Sequence, residues 1–297
     1  MCFIIKMVKF LTINSFYEHI SYFCFMRLFK PLFNFYINSS LHVALAVYAL
    51  TWLTLLELEL GYNEIILYFV FYATITGYNF VKFFGVAKFR HKKLTGWLKA
   101  IQIMSFFCFL LMCYYGAQLE QETLVILLVF AMLTFMYAIP FLPQRKDWTL
   151  RHVGGLKVYV IALVWAGVTV GLPAVNTRCE MTFNVLLLLV QRFIYVVVLM
   201  IPFEIRDLKF DNSKLETIPQ KLGVNKAKTL GYGLLFLFFG LEFLKHNVNN
   251  TKMVLFIVVM LTGIMLRYAK IDQGKYYSAF MVESMPIMWL LFVFLFG

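Results

Sequence analysis

Three carboxylates stand close together in the stretch PFEIRDLKFD: Glu204, Asp207 and Asp211. Their spacing is i, i+3, i+7, which on a helix projects all three from the same side of successive turns. Just upstream runs a long apolar segment, Val185 to Ile201. Charged groups at the mouth of a membrane helix are costly and usually mark a site for an ion or a substrate. Carboxylates one turn apart suit a hard divalent cation, which takes oxygen ligands and often a substrate phosphate as well. The same residues also fit a plainer role, a solvated acidic face beside Arg206 and Lys209. A second group, Arg145, Lys146, Arg151 and Lys157, suits an anion, because arginine makes bidentate contacts to phosphate. Its alternative role is to enforce membrane topology.

The elements that must carry these residues are membrane helices. The chain is 62% hydrophobic and 14% charged, with only 7 prolines and a mean hydropathy of +0.80. Apolar stretches near the bilayer-spanning length of about 20 residues recur along almost all of it. Helices satisfy their own backbone groups in lipid, so the expected fold is an all-α polytopic membrane protein. A β-barrel would need alternating apolar and polar positions, which are absent. Nine spans are expected: Phe33 to Leu56, Ile65 to Phe84, Trp97 to Gly116, Leu124 to Leu142, Leu156 to Val175, Phe183 to Phe203, Thr229 to Leu244, Val254 to Met265, and Phe280 to Phe296. The eighth has the shortest purely apolar stretch.

Lysine and arginine collect in alternate connections. All but Arg178, Arg192, Lys245 and Lys252 lie in the N-terminal segment or in the second-to-third, fourth-to-fifth, sixth-to-seventh and eighth-to-ninth connections. The other connections are short and lean acidic, with Glu57, Glu59, Glu64, Glu120, Glu122 and Glu180. The positive-inside rule then puts the N-terminus in the cytoplasm and the C-terminus outside. The expected location is a multi-pass position in the inner membrane of a bacterium. The net charge of +12 is mostly this loop bias, and no nucleic-acid-binding motif accompanies it. Residues 1–30 read as a cytoplasmic or interfacial lead-in, since no small-residue cleavage site follows MCFIIKMVKFL, and Met26 is a candidate start. Residues 31–297 form the membrane domain.

Other chemistries find little footing. The five cysteines are scattered and form no CxxC or cysteine–histidine metal spacing. His42 either lines a cavity at the first span or packs within it. No serine–histidine–acid order, glycine-rich phosphate loop or HExxH occurs. The DGxxAR start of membrane phosphatidyl transferases is missing too. A transporter is the competing class, because Arg192 lies inside the sixth span beside Gln191. No inverted repeat or pair of broken helices supports it, and Arg192 can instead snorkel or pair within the bundle. Aromatic residues make up 19% of the chain. Such rings can line a pocket for a long apolar chain and stabilise a passing cation, or simply pack and anchor at the interface.

The segment PFEIRDLKFDNSKLETIPQKLG resembles the second aspartate-rich motif of the UbiA superfamily of intramembrane prenyltransferases, through Asp207, Asp211, Thr217, Pro219, Leu222 and Gly223. MYAIPFLPQRK resembles that family's tyrosine–proline–basic segment after the fourth span, through Tyr137, Pro140, Arg145 and Lys146. The resemblance runs from about Lys30 to the C-terminus. It implies a helical bundle around a central, lipid-open cavity. It further implies transfer of an allylic group from a prenyl diphosphate to an apolar or aromatic acceptor within the membrane, without nucleic acid. Two aspartate motifs would hold Mg²⁺ on the diphosphate, whose departure the metal and basic residues would assist by neutralising charge.

The first of those motifs departs from the family pattern. Its segment here is GYNFVKFFGVAKFRHK, in which Asn79 is kept and the three aspartate positions hold Phe80, Phe83 and Ala87. Lys82 and Lys88 stand beside them. On the resemblance, Asp207 and Asp211 are expected as Mg²⁺ ligands with Glu204 as support or third ligand. Asn79, Lys82, Lys88, Arg145 and Lys146 are expected on the diphosphate, and Tyr137 near the reacting carbon. Three readings follow: a transferase with one metal site, a lyase or cyclase acting on a prenyl chain, and a non-catalytic protein that binds a lipid or quinone in the same cavity.

Overall fold

A computed structural model describes residues 30–89, 96–139, 153–210, 215–245 and 251–296, with side chains at all of these except 84–89 and 251. Every regular element among them is helical. In order they are α1 (Lys30–Asn38), α2 (Leu41–Glu57), α3 (Glu64–Phe89), α4 (Gly96–Gly116), α5 (Gln121–Ala138) and α6 (Leu156–Ala166). There follow α7 (Leu172–Asn176), α8 (Phe183–Asp207), α9 (Ile218–Leu222), α10 (Val224–Leu241), α11 (Thr251–Tyr268) and α12 (Met285–Phe296).

By length and composition, seven of the described helices can cross a membrane, or eight when α1 and α2 count as one bent span. Each of the nine expected spans meets a helix. The eighth lies within α11, and the fourth is described only to Ile139. The first is not continuous: α1 and α2 meet at 56°. Ser40, at the corner, has φ of 65°, a left-handed conformation that costs a residue with a Cβ and persists only where its surroundings hold it.

The most apolar span, α8, is the centre of the bundle. Its residues Tyr195 to Leu199 are all buried, whichever way they point around the helix, as expected of a helix surrounded by others. α8 packs against α6, α10 and α11, α12 closes onto α2, and α2 and α4 flank α3. One core gathers Leu50, Leu53, Ile194, Tyr195, Phe238, Val258 and Trp289; a second gathers Val158, Ala162, Val197, Ile201 and Leu266. Small residues permit these close approaches. Ala44, Ala46 and Ala49 are buried on α2, and Gly167 lies against the Phe130 ring, so that any Cβ there would strike it.

Two π-helical turns interrupt this regularity. Gly167–Gly171 joins α6 to α7, and Tyr277–Val282 leads to α12. Each inserts a residue into the helical ladder and re-aims the side chains after it, a device found often at functional sites.

Candidate functional site

α2 runs from Ser40 towards Glu57, and α8 runs the opposite way, so the start of α2, the far half of α3 and the end of α8 share one end of the bundle. The excess of lysine and arginine in its connections predicts a cytoplasmic position for that end.

At the end of α8, Asp207 is partly accessible, with 22% of its side-chain surface exposed. Its Oδ1 accepts from Nε of Arg206 at 2.8 Å and pairs with the same guanidinium's Nη2 at 2.8 Å. Its Oδ2 faces Nζ of Lys157, from the first turn of α6, at 3.5 Å. Arg206 also lies over the Phe203 ring, 5.3 Å from its centroid. Glu204 is 2% exposed, and its Oε2 accepts the backbone N–H of Ile218 at 3.3 Å. That amide opens α9 and would otherwise lack an acceptor. Gln220 Oε1 caps the same turn by accepting the N–H of Thr217 at 3.0 Å. The Thr-Ile-Pro-Gln stretch is thus a helix start that folds back on α8 through Glu204.

Asn79 is 3% exposed, and its amide is spent on the α1–α2 corner. Its Oδ1 accepts from Ser40 Oγ at 2.8 Å, while Nδ2 donates to the Ser39 carbonyl at 2.9 Å and to Ser105 Oγ at 2.7 Å. These bonds hold the left-handed Ser40. One turn on, Lys82 donates from Nζ to Ser40 Oγ at 2.9 Å and keeps an accessible surface. Two residues past Ser40, the buried His42 donates from Nε2 to the Phe280 carbonyl at 3.0 Å, with Ser284 Oγ 3.2 Å from the same nitrogen. A carbonyl can only accept, so Nε2 carries the proton and Nδ1 takes the Tyr36 hydroxyl at 2.7 Å. The corner therefore ties α3 to the π-turn before α12.

Just past that turn stands Glu283. It lies within electrostatic reach of both Lys82 and Arg206, and also of Tyr36 and Tyr78. Lys82 is exposed, and Tyr78 and Glu283 are half-buried. Tyr78 accepts from Trp165 Nε1 at 2.9 Å, and Tyr137, half-buried on α5, interacts with Tyr78 electrostatically. Aromatic rings of α3, α5 and α6 thus lie beyond the charged end.

Of the expected set, Asn79 and Lys82 meet at Ser40, Asp207 and Glu204 lie at the end of α8, and Tyr137 lies on α5. Asp211, Arg145 and Lys146 lie outside the described residues, as does the side chain of Lys88. Among the described residues no group of three or more His, Cys, Asp or Glu side chains could hold a metal ion. Asp207 already faces cations with both oxygens, and Glu204 holds α9. The described donors therefore do not by themselves make a Mg²⁺ site. Sequence reasoning did not single out Glu283. Its one available signal was a lone carboxylate inside the last span, which by default marks function. Lys157 was noted only for anions, and Arg206 only as a neighbour of the carboxylates; both prove to be partners of Asp207.

Arg192 has a different setting. It is 1% exposed and donates from Nη1 to the Leu50 carbonyl at 2.9 Å and from Nη2 to Thr54 Oγ1 at 3.2 Å. Its guanidinium sits 5.4 Å from the Trp289 ring centroid. It pairs within the bundle and reaches neither surface.

No protein-family model matches the sequence, and no curated protein matches it. Among solved structures, the fold is similar to that of a digeranylgeranylglyceryl phosphate synthase. The TM-score is 0.52 at 13% sequence identity, over 88% of this chain and 98% of that chain. The protein is a multi-pass helical membrane protein that shares its fold with that synthase. The likeness is one of fold.

Proposed function

We propose that the protein is a UbiA-like prenyltransferase that moves an allylic group from a prenyl diphosphate to an apolar or aromatic acceptor inside the membrane. The observation that carries this reading is the placement of Lys82, Lys157 and Arg206 at one end of the bundle, in a fold shared with a prenyl-lipid synthase. The diphosphate would lie at that end, and the prenyl chain along the aromatic rings beyond it. In the reaction the allylic C1–O bond breaks, its electron pair leaves with the diphosphate, and the acceptor attacks C1. Fixed cations beside the leaving group stabilise the charge that develops there. The rings of Tyr78, Tyr137 and Trp165 would face the electron-poor chain with their negative faces. Arg145, Lys146 and Lys88 are further candidates for the diphosphate, and Asp207, Asp211 and Glu204 for a metal.

The test is diphosphate release by the purified protein in lipid, from geranyl, farnesyl and geranylgeranyl diphosphate, with aromatic acceptors and with and without Mg²⁺. Release with a prenylated acceptor as product is the expected result. Replacing Asp207→Asn and Asp211→Asn together should reduce turnover by about 100-fold or more while the protein still folds, the scale typical of losing leaving-group stabilisation. Unchanged turnover in that variant removes both carboxylates from the site.

One observation favours a second reading, a non-catalytic prenyl-lipid- or quinone-binding protein. The amide of Asn79 is fully spent on the corner of α2, and the aspartates that would follow it are Phe80, Phe83 and Ala87. Folded protein that binds a prenyl ligand and releases no diphosphate from any donor would establish it.

A further inference from the structure

His42, at the start of α2, is 2% exposed and takes no part in holding a diphosphate. Its ring packs on those of Phe280 and Tyr36, with centroids 4.8 and 5.2 Å away. Phenylalanine would serve for packing alone, whereas a buried imidazole needs a partner at each nitrogen. The two partners here are of different kinds. Nε2 donates to the Phe280 carbonyl, a fixed backbone group in the second π-turn. Ser284 Oγ donates to the same carbonyl at 2.6 Å, so its proton is not offered to the imidazole. Nδ1 keeps a lone pair and takes the Tyr36 hydroxyl, and Tyr36, unlike His42, retains accessible surface.

The neighbours of Tyr36 hold it at this position. Phe33, one turn earlier on α1, meets the rings of Tyr276 and Phe280 edge-on, each at 5.0 Å. Asn34 Oδ1 accepts from the Tyr276 hydroxyl at 2.7 Å and from Lys275 Nζ at 2.9 Å. The Tyr36 carbonyl accepts from Ser39 Oγ at 3.4 Å, and Ser39 and Ser40 lead on to Asn79 and Lys82. The tyrosine–histidine pair and Lys82 thus stand on the same α1–α2 corner.

A base oriented through its second nitrogen and joined to a hydroxyl is an arrangement that moves protons in acid–base catalysis. Both protonation states of His42 fit these contacts. As a neutral ring Nδ1 accepts from Tyr36; as imidazolium it donates to the Tyr36 oxygen, and the bond from Nε2 to Phe280 is kept throughout.

We infer that Tyr36 and His42 are the proton acceptor of the proposed transfer, with Tyr36 against the acceptor substrate and His42 as the base behind it, and that this acceptor reacts through a hydroxyl group. The inference rests on the transferase reading. In the step, the acceptor oxygen forms a bond to C1 with a lone pair, the C1–O bond breaks, and its electron pair leaves with the diphosphate. The acceptor's hydroxyl proton passes to the Tyr36 oxygen while Tyr36's own proton passes to His42 Nδ1. The products are a neutral prenyl ether, diphosphate and imidazolium. The imidazolium then returns its proton through Tyr36 to the departing diphosphate.

The test uses the full chain in lipid, with farnesyl diphosphate as donor and, in separate arms, a naphthohydroquinone and a monoalkyl glycerol as acceptors. Tyr36→Phe keeps the ring and removes the hydroxyl. His42→Gln keeps a donor for the Phe280 carbonyl and removes the base. Each should lower kcat for prenylated product about 100-fold, within the usual range for acid–base catalysis. The KM for the donor should stay within about threefold, because neither side chain touches the diphosphate. The double variant should fall no further than the lower single one, because the two residues act as a unit. Transfer to either acceptor that shows this pattern upholds the inference and assigns the hydroxyl as phenolic or aliphatic.

A role in packing alone gives a different pattern. Tyr36→Phe turnover within about threefold of an active wild type overturns the inference and leaves the transferase reading standing. So does a double variant whose loss is the product of the single losses, or a loss in Tyr36→Phe that comes with weakened donor binding and a lowered melting temperature. If His42→Gln does not fold, Tyr36→Phe decides, through its kcat at unchanged KM. Folded wild-type protein that releases no diphosphate and forms no product with either acceptor removes the transferase reading and this inference with it.

Discussion

Two charged networks occupy opposite ends of this bundle, and they are built differently. At one end Lys82, Arg206, Asp207 and Glu283 keep accessible surface, and the buried Lys157 backs Asp207. At the other, Lys245 pairs with Glu57 and with Glu242, the latter at 2.8 Å, and Gln191 donates to Glu242 at 3.1 Å. Arg192 lies deeper in that half, within electrostatic reach of Glu57. Lys245, Glu242, Gln191 and Arg192 are all buried. Both ends concentrate ionisable groups where lipid-facing charge is costly, so charge content does not separate a site from a brace. What separates them is access. The closed network joins α2, α8 and α10, and its groups are spent on one another and on backbone carbonyls. In the open one Arg206 pairs with a partly accessible Asp207, and the accessible Lys82 donates to Ser40 Oγ.

The comparison breaks most visibly at Arg192. Arg192→Met should cost about 3–5 kcal/mol of stability, because two charge-assisted hydrogen bonds, to the Leu50 carbonyl and to Thr54 Oγ1, are lost in the core. Thermal unfolding in detergent reads this, and prenyl-ligand affinity per folded molecule should stay unchanged. A stable Arg192→Met variant with altered affinity would place Arg192 in the site and erase the distinction. Next in size is Asn79→Ala, which leaves Ser39, Ser40 and Ser105 short of partners and should cost about 2–3 kcal/mol. Its melting temperature should fall before its affinity does, since Asn79 acts on the corner that carries Lys82. Gly167→Val drives a side chain into the Phe130 ring and should cost about 1–3 kcal/mol by overpacking. The smallest stability effect belongs to Lys82→Gln, about 1 kcal/mol or less, since one accessible hydrogen bond is lost. Its large effect is on ligand affinity. A Lys82→Gln variant that unfolds easily and binds normally would show that both networks are braces.

Several parts of this arrangement were legible in the residues. Each expected span meets a helix, because lipid leaves a chain of this hydropathy no other way to satisfy its backbone. PFEIRDLKFD pointed to the charged end of α8, since a period of 3.6 places Glu204 and Asp207 on one side. The same reasoning could not tell that these two neighbours differ in task. Glu204 turns to the amide of Ile218, whereas Asp207 turns to Lys157 and Arg206. The break at Ser39–Ser40 was also hidden. Neither glycine nor proline marks it, and its left-handed serine is held by Asn79 from another helix.

The sequence by itself determined a helical membrane protein, the rough limits of its spans, and which connections carry positive charge. Those properties are sums over neighbouring residues, so they survive without knowledge of how the helices pack. Only the tertiary structure decided that Lys82 reaches Ser40, that Lys157 closes on Asp207, and that Arg192 is sealed against Trp289 and α2. Such pairings depend on the rotation and depth of each helix against its neighbours. Side-chain fit between distant segments sets these, and local hydropathy does not encode it.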